Sequence, residues 1–553
     1  MSDAGTQLFG GRPLVGRAAD ASGMRLVSDH PARTALDADV CALALARVLR
    51  GHGLGGGRRV LLKAGNSPVY VVALLALMRL DSSIVLIDGQ QTTQETHRLA
   101  AAAGVDFALV EQFGDAPSGL PFLTMAELDE VLPHHDAGRA AGSAAESTAH
   151  AEPLRAVSAA HTDPFRAVAR WLDRDDALVL WSSGTTGEPK AVVKSGRAFL
   201  RNLDRTRQAL GYRPDDVLLP VLPYSHQYGL SLVLLAWLSR GTLAVTPNSR
   251  LDRALSLGAA VGATVVDATP VTYRSLLNLA GRHPGLLAGL TKVRLWCTGG
   301  APSDQDLVRR FPEVTGAPLL DGYGSTEIGN VSFATPDNPT GCGRVLDGLD
   351  VFVTDEAGRP LPPGEIGEIH VRTPDLMTGY LSVADGLTPA PSGPYRTGDL
   401  GHLDAAGNLF VLGRRFAVHR LGFTLYPEVL ERKAEACGRP VKIVTRDDAR
   451  RGQELIFVVE DPDVREASYW RRRICAALPP FEHPNRVVVV SRFPVSANGK
   501  PDGRLLARQL ALSDGLAADP ADRADPVGPA DRAGAPEPSL AVNSPEKAEG
   551  THP

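Results

Sequence analysis

Cysteine is scarce: the 553 residues hold five, Cys41, Cys297, Cys342, Cys437 and Cys475. They are widely scattered, with no CxxC pair and no histidine cluster at metal-ligand spacing. This argues against a disulfide framework or a structural zinc site and points to a reduced, cytoplasmic protein. Long apolar runs are also missing. The longest, Val69 to Leu80, is too short to span a bilayer and reads as a core helix, so no membrane span is expected. The opening Met1-Ser-Asp-Ala-Gly lacks the charged-then-apolar pattern of a secretory leader. Nor does one charge dominate, since 58 basic and 63 acidic residues leave a net charge of −5. That balance gives no electrostatic footprint for nucleic acid or an anionic membrane, so small molecules or another protein are the expected partners.

The chain exceeds the size at which one core stops growing, so at least two domains are expected. Apolar positions at helical spacing (Leu36, Val40, Leu43, Leu45, Val48, Leu49) are followed by a Gly-rich turn and the strand Arg59–Leu62. A helix at 68–79 and a strand at 84–87 come next. The alternation recurs at 107–110, 177–181, 217–222, 242–245, 264–266 and 293–297, which indicates βαβ units and a large N-terminal α/β domain with mostly parallel sheets. Residues 133–163 are Ala-rich, hold His134, His135, His150 and His161, and show no sustained pattern. A mobile surface insertion is the expectation there, with a metal site as the alternative.

The pattern changes near Gly413-Arg414. Short mixed elements follow, with helices at 427–437 and 464–477 and strands at 441–445, 454–459 and 486–490. They predict a small, mobile C-terminal α+β domain over 413–512, after a large domain of 1–412. From Asp514 the chain is proline-rich without aromatic residues, and 513–553 is expected to be disordered.

The densest chemistry lies in Ser182-Ser183-Gly184-Thr185-Thr186-Gly187-Glu188-Pro189-Lys190. It leaves the end of a predicted buried strand, where open α/β folds bind ligands. Its glycines allow close backbone approach, its hydroxyls can donate to phosphate oxygens, and Lys190 adds charge. An ordinary Gly/Ser turn is the competing reading. A P-loop kinase is not, because Gly184 and Gly187 are two residues apart, Lys190 follows Pro189, and Ala191 stands where the magnesium hydroxyl belongs.

Further segments share this character, in a fixed order: Pro223-Tyr224-Ser225-His226-Gln227-Tyr228-Gly229, Thr298-Gly299-Gly300-Ala301-Pro302, Gly322-Tyr323-Gly324-Ser325-Thr326-Glu327, Tyr395-Arg396-Thr397-Gly398-Asp399, Gly413-Arg414 and Asn498-Gly499-Lys500. Singly, a hairpin turn at Arg396–Asp399 or a core tyrosine at 323 would explain some of them. Jointly, over roughly residues 36 to 508, they resemble the adenylate-forming superfamily of acyl- and aryl-CoA synthetases, peptide-synthetase adenylation domains and beetle luciferases.

The resemblance implies an enzyme in which a carboxylate attacks the α-phosphorus of ATP and pyrophosphate leaves, so catalysis is positioning plus charge neutralisation. It implies that Ser182, Ser183, Gly184, Thr185, Thr186, Gly187 and Lys190 hold the departing phosphates. Glu327 would bind Mg2+, Thr326 would contact the α-phosphate, and Tyr323, next to Gly322, would stack on adenine. Asp399 and Arg414 would hold the ribose. Lys500 would be the catalytic lysine, reaching both the attacking carboxylate and the α-phosphate, with His226 gating the acid pocket; core packing is the alternative for His226. Tyr224, Thr298, Gly299 and Gly300 would line that pocket.

The small domain rotates in this family to admit a pantetheine thiol. Here the hinge reads Arg415-Phe416 where the family has Asp or Lys one place on, which puts the second half-reaction in question. Amino-acid-activating members carry an Asp in the segment equivalent to 223–229. Its absence here disfavours an α-amino acid, since a buried ammonium would go unpaired. The His226 segment favours coenzyme A as acceptor. Asn498-Gly-Lys500-Pro-Asp502 resembles enzymes that load the phosphopantetheine of a separate acyl or peptidyl carrier protein. A luciferase-like oxygenase would share every segment.

Overall fold

The computed structural model describes residues 23–513 apart from 29–35, 133–163, 184–188, 248–249, 284, 286, 302, 304, 383–384, 415–417, 421–422, 426, 449–451, 479–481 and 497–500. The expectations for 133–163, for the hinge at Arg415-Phe416 and for the tail after 513 lie outside these residues. Contacts divide the chain into two compact units, Met1–Thr397 with His402–Val411 and Gly398–Gly401 with Leu412–Pro553.

The first unit is built on two large sheets. One has nine strands, and its interior runs in parallel order Arg25–Ser28, Thr242–Val245, Val217–Val221, Val265–Ala268, Leu295–Thr298, Leu319–Ser325. The other has eight, with Leu178–Ser183, Ser83–Leu86, Arg59–Lys63, Phe107–Val110 and Phe122–Thr124 parallel in that order. Antiparallel strands sit at their margins. The fold is therefore α/β with sheets that are parallel in their interiors, as the βαβ periodicity indicates.

Alternation along the strands splits the core by face. Leu218, Val265 and Leu295 share one core with Leu62 and Leu86 of the other sheet and with the helices Pro68–Arg79 and Gln227–Ser239. Leu219, Val266 and Trp296 point the other way, towards Tyr273 and Phe311 on the helices Pro270–Arg282 and Gln305–Thr315. The Pro68–Arg79 helix starts on Pro68 with Ser67 Oγ accepting from the Tyr70 N–H, and every residue from Val69 to Met78 is buried.

Three expectations are corrected. The strand predicted at 264–266 runs Val265–Ala268 and includes Asp267; a buried acidic residue made the pattern look finished. Residues 319–414, for which no strand was predicted, contribute nine strands, eight of them four residues or longer, with many glycines and half-buried positions. Arg396–Asp399 is no hairpin turn, because it lies within the strand Tyr395–Leu403.

In the second unit Val441–Asp448 pairs antiparallel with Gly452–Glu460, which pairs parallel with Arg486–Val490. Leu455, Phe457 and Val459 face Trp470 and Ile474 of the helix Ala467–Ala477. Ile456 and Val458 face Leu506 and Leu510 of the helix Gly503–Ser513.

Candidate active site

The strands Leu178–Ser183 and Pro189–Lys194 pair antiparallel, with Ser182 opposite Lys190 and Ser183 opposite Pro189. Gly184, Thr185, Thr186 and Gly187 lie between them, outside the described residues. Lys190 Nζ lies 5.2 Å from the centroid of the Tyr380 ring. Tyr380 belongs to the adjoining strand Gly379–Ser382. Its hydroxyl donates to Glu327 Oε1 at 3.2 Å and bonds the Tyr395 hydroxyl at 3.1 Å. Ser325 Oγ donates to Glu327 Oε2 at 2.9 Å. Glu327 is only 9% exposed, yet it meets no Lys or Arg side chain at ion-pair distance among the described residues. Its backbone carbonyl accepts from the buried Lys194 Nζ at 3.3 Å and from Met377 N–H at 2.7 Å. Burial pulls the Lys194 ammonium down to about 8, against the raising effect of Asp375 and Glu327.

Gly322, Gly324 and Thr326 precede this carboxylate in the same segment. A Cβ on Gly324 would stand 2.5 Å from Gly329 O, and one on Gly322 would stand 2.6 Å from the Phe333 ring, so both positions need glycine. Tyr323 packs in a cluster with Ile328, Val331 and Leu409. The structure brings Lys190, Ser325, Glu327 and Tyr380 into one connected group.

A second group surrounds His226. His226 Nε2 lies 3.1 Å from Asp88 Oδ2, which also accepts from Ser225 Oγ at 3.0 Å. Burial pushes the Asp88 carboxyl up, but the close His226 ring and the hydrogen bonds from Gln90 N–H and Ser225 outweigh it and hold it below the usual range. The turn is fixed by Asn66, whose Oδ1 accepts from Tyr224 N–H at 2.9 Å and whose Nδ2 donates to Leu222 O at 2.8 Å. Gly229 lets the helix Gln227–Ser239 close on that turn, as a Cβ there would stand 2.1 Å from Pro223 O. Tyr224 is buried against Tyr70, with ring centroids 6.1 Å apart, and its hydroxyl has no hydrogen-bond partner among the described residues.

Thr298 ends its strand, and Gly299 and Gly300 lie beside the Tyr228 ring, 3.4 and 4.0 Å from where their Cβ atoms would be. The Tyr228 hydroxyl donates to Asp267 Oδ1 at 2.9 Å. Asp399 is buried within its strand, Arg414 ends the strand Leu409–Arg414, and Lys500 lies outside the described residues.

The sequence reading missed Asp88, Tyr228, Asp267 and Tyr380 as participants. An acidic residue inside the run Val265-Val266-Asp267-Ala268 was the available signal for one of them. No cluster of three or more His, Cys, Asp or Glu suited to a metal occurs among the described residues. None of their helices is long and apolar enough to cross a membrane.

Parallel-cored sheets that bring a hydroxyl-rich loop's flanks beside a buried carboxylate, unpaired with Lys or Arg among the described residues, fit a nucleotide-using α/β enzyme. More narrowly, the chain belongs to the AMP-binding enzyme family, whose model matches residues 25–381. It is 30% identical to 4-coumarate–CoA ligase 5 of Oryza sativa subsp. japonica, over 71% of this chain and 73% of that one. It is 28% identical to a salicylyl-CoA synthase / salicylate adenylyltransferase of a Streptomyces species, over 84% of this chain and 86% of that one. The ATP-bound structure of MatB from Rhodopseudomonas palustris shares the fold with a TM-score of 0.74 at 24% identity, covering 90% of this chain and 97% of that one. The protein is an adenylate-forming, acid-activating enzyme.

Proposed function

We propose that this enzyme is an acid–thiol ligase: it converts a carboxylic acid and ATP to acyl-AMP and pyrophosphate, then passes the acyl group to coenzyme A with release of AMP. The observation that carries the reading is the group Lys190, Tyr380, Glu327 and Ser325 at the foot of the Ser/Thr/Gly loop. Glu327, buried among hydroxyls with no ion-pair partner among the described residues, fits a hard cation that takes oxygen ligands. When bound, Mg2+ would offset phosphate charge. Lys190 and the loop hydroxyls hold the leaving group, Thr326 holds the α-phosphate, Tyr323 meets adenine, and Asp399 and Arg414 hold the ribose. Lys500, in a lid domain of about residues 413–512, offsets the charge between carboxylate and phosphate. His226, paired with Asp88, stands at the entrance of the acid pocket.

Two acyl-CoA-forming relatives support coenzyme A as the thiol and an aromatic acid as the substrate. Loading of a phosphopantetheinyl carrier protein is the second reading, favoured by the ending Asn498-Gly-Lys500-Pro-Asp502. The test is pyrophosphate exchange across short, long and aryl acids, followed by mass detection of thioesters with coenzyme A and with a carrier. Exchange with at least one acid and a coenzyme A thioester are expected. Failure of every acid in exchange removes the enzymatic reading, and a carrier thioester without a coenzyme A thioester selects the second.

A further inference from the structure

Several buried carboxylates in this molecule meet a cation. Asp115 faces Lys63, Asp216 faces Arg294, Asp375 faces Arg201 and Arg205, and Asp461 faces Arg439. Asp267 does not. It is 2% exposed, its Oδ1 accepts from the Tyr228 hydroxyl, and its Oδ2 has no hydrogen-bond partner among the described residues. A buried, unsatisfied acceptor is costly, and in a native fold it calls for an explanation such as a ligand.

Its position supplies one. Asp267 is next to the end of its strand, beside Cys297 of the neighbouring strand. Tyr228 connects it to the Gly299–Gly300 loop, because the ring that lies along those glycines carries the hydroxyl that Asp267 accepts. Those glycines are the proposed wall of the acid pocket, and Asp267 lies one phenol ring beyond it.

We propose that Asp267 is the specificity-determining carboxyl group of the acid pocket, selecting carboxylic acids that carry an N–H or O–H donor at the end remote from their carboxylate. The donor would bond the open Oδ2 while Tyr228 keeps Oδ1. The proposal rests on the acid-activation reading for the identity of the pocket. Burial pushes this carboxyl up to about 7, against the Tyr228 hydrogen bond, so it is poised to share a proton with an incoming donor.

The test uses the full chain and matched pairs: benzoate against 4-hydroxybenzoate and 4-aminobenzoate, cinnamate against 4-hydroxycinnamate, and hexanoate against 6-hydroxyhexanoate. Binding is measured by calorimetry in the presence of Mg2+ and α,β-methylene-ATP, independently of turnover. At least one donor-bearing acid is expected to bind roughly 50-fold or more tightly than its partner, since a site built around a polar group rejects analogues lacking the complement. Asp267→Asn keeps an acceptor for Tyr228 but replaces Oδ2 by an amide donor. It should bring that ratio below about threefold with an unchanged melt, an effect that a purely structural Asp267 would not produce. Equal or weaker binding of every donor acid by the wild type, or an unchanged ratio in folded Asp267→Asn, overturns the proposal. Donor-selective binding without pyrophosphate exchange sinks the proposed function and leaves the pocket assignment standing.

Discussion

Two hydroxyls hold Glu327, Ser325 on one oxygen and Tyr380 on the other, and among the described residues no Lys or Arg side chain pairs with it. That arrangement keeps the carboxylate oriented, as the proposed Mg2+ role requires, and the same tyrosine ring carries Lys190 on its face. Glu327→Ala should lower pyrophosphate exchange by about 100-fold or more with little change in melting temperature, the size of loss typical when one preorganised charged contact is removed. Tyr380→Phe keeps the ring beneath Lys190 but drops the hydroxyl, so a loss of about tenfold, mainly as a raised KM for Mg-ATP, is expected from steady-state kinetics. Asp267 gives a pH signature. Its ordinary value of 3.8 is raised to about 7 in the folded chain, so between these values the folded state holds a proton that the unfolded state has lost. Stability must therefore fall as pH rises through that window and level off above it. Urea unfolding should show Asp267→Asn gaining on the wild type by roughly 1–3 kcal/mol at pH 8 relative to pH 4.5; a constant difference between the two pH values would refute a raised Asp267. Glu327 was legible because its neighbours form a recognisable segment. Asp267 and Tyr380 were not, because their partners, Tyr228 and Glu327, are distant in sequence.

Among the elements, strands that alternate with helices were the easiest to read, because a short, wholly apolar run between turn signals has few other uses. The expected strand at 107–110 is the observed one, and the expected helix at 68–79 likewise. The Gln227–Ser239 helix is buried on every side from Gly229 to Ser239, so no periodicity marks it. Its start depends instead on one glycine, whose Cβ position is 2.1 Å from the Pro223 carbonyl oxygen. Gly229→Ala cannot be absorbed by a side-chain rotation, since the clash is with backbone; the first helical turn must lift from the 223–226 turn. The expected result is a loss of about 2–4 kcal/mol by urea unfolding. Exchange activity should fall further than stability explains, because His226 and Tyr228 move with that turn; retained activity in a destabilised variant would separate the turn from the site. The strands between 319 and 414 escaped notice for a different reason. Glycines such as Gly322, Gly324 and Gly367 sit where any side chain would strike a neighbouring strand or ring, and they break the apolar alternation that marks a strand.

At the scale of the whole molecule, each unit has its own apolar cores, and in the second unit a three-stranded sheet is covered by helices on both faces. The sequence predicts a change of organisation near Gly413-Arg414, as a shift from regular βα alternation to short mixed elements. The function of the second unit is less visible in its fold, since its packing shows only that Val441–Val490 forms a small α+β domain. Its proposed contribution is one side chain, Lys500, and the chemistry explains why a lysine is needed. The reaction brings a carboxylate onto a phosphate, two anions that repel until a point charge lies between them. Lys500→Ala should therefore reduce pyrophosphate exchange by about 100-fold or more, while the melt and nucleotide binding by calorimetry stay near wild type. The second half-reaction separates this role from a general loss of order. Acyl-AMP already carries the bond that Lys500 helps to make, so synthetic acyl-AMP and coenzyme A should still give thioester in the variant. If thioester formation from synthetic acyl-AMP falls as far as exchange does, Lys500 is holding the second unit together rather than neutralising the attack. If both persist, the charge comes from another residue.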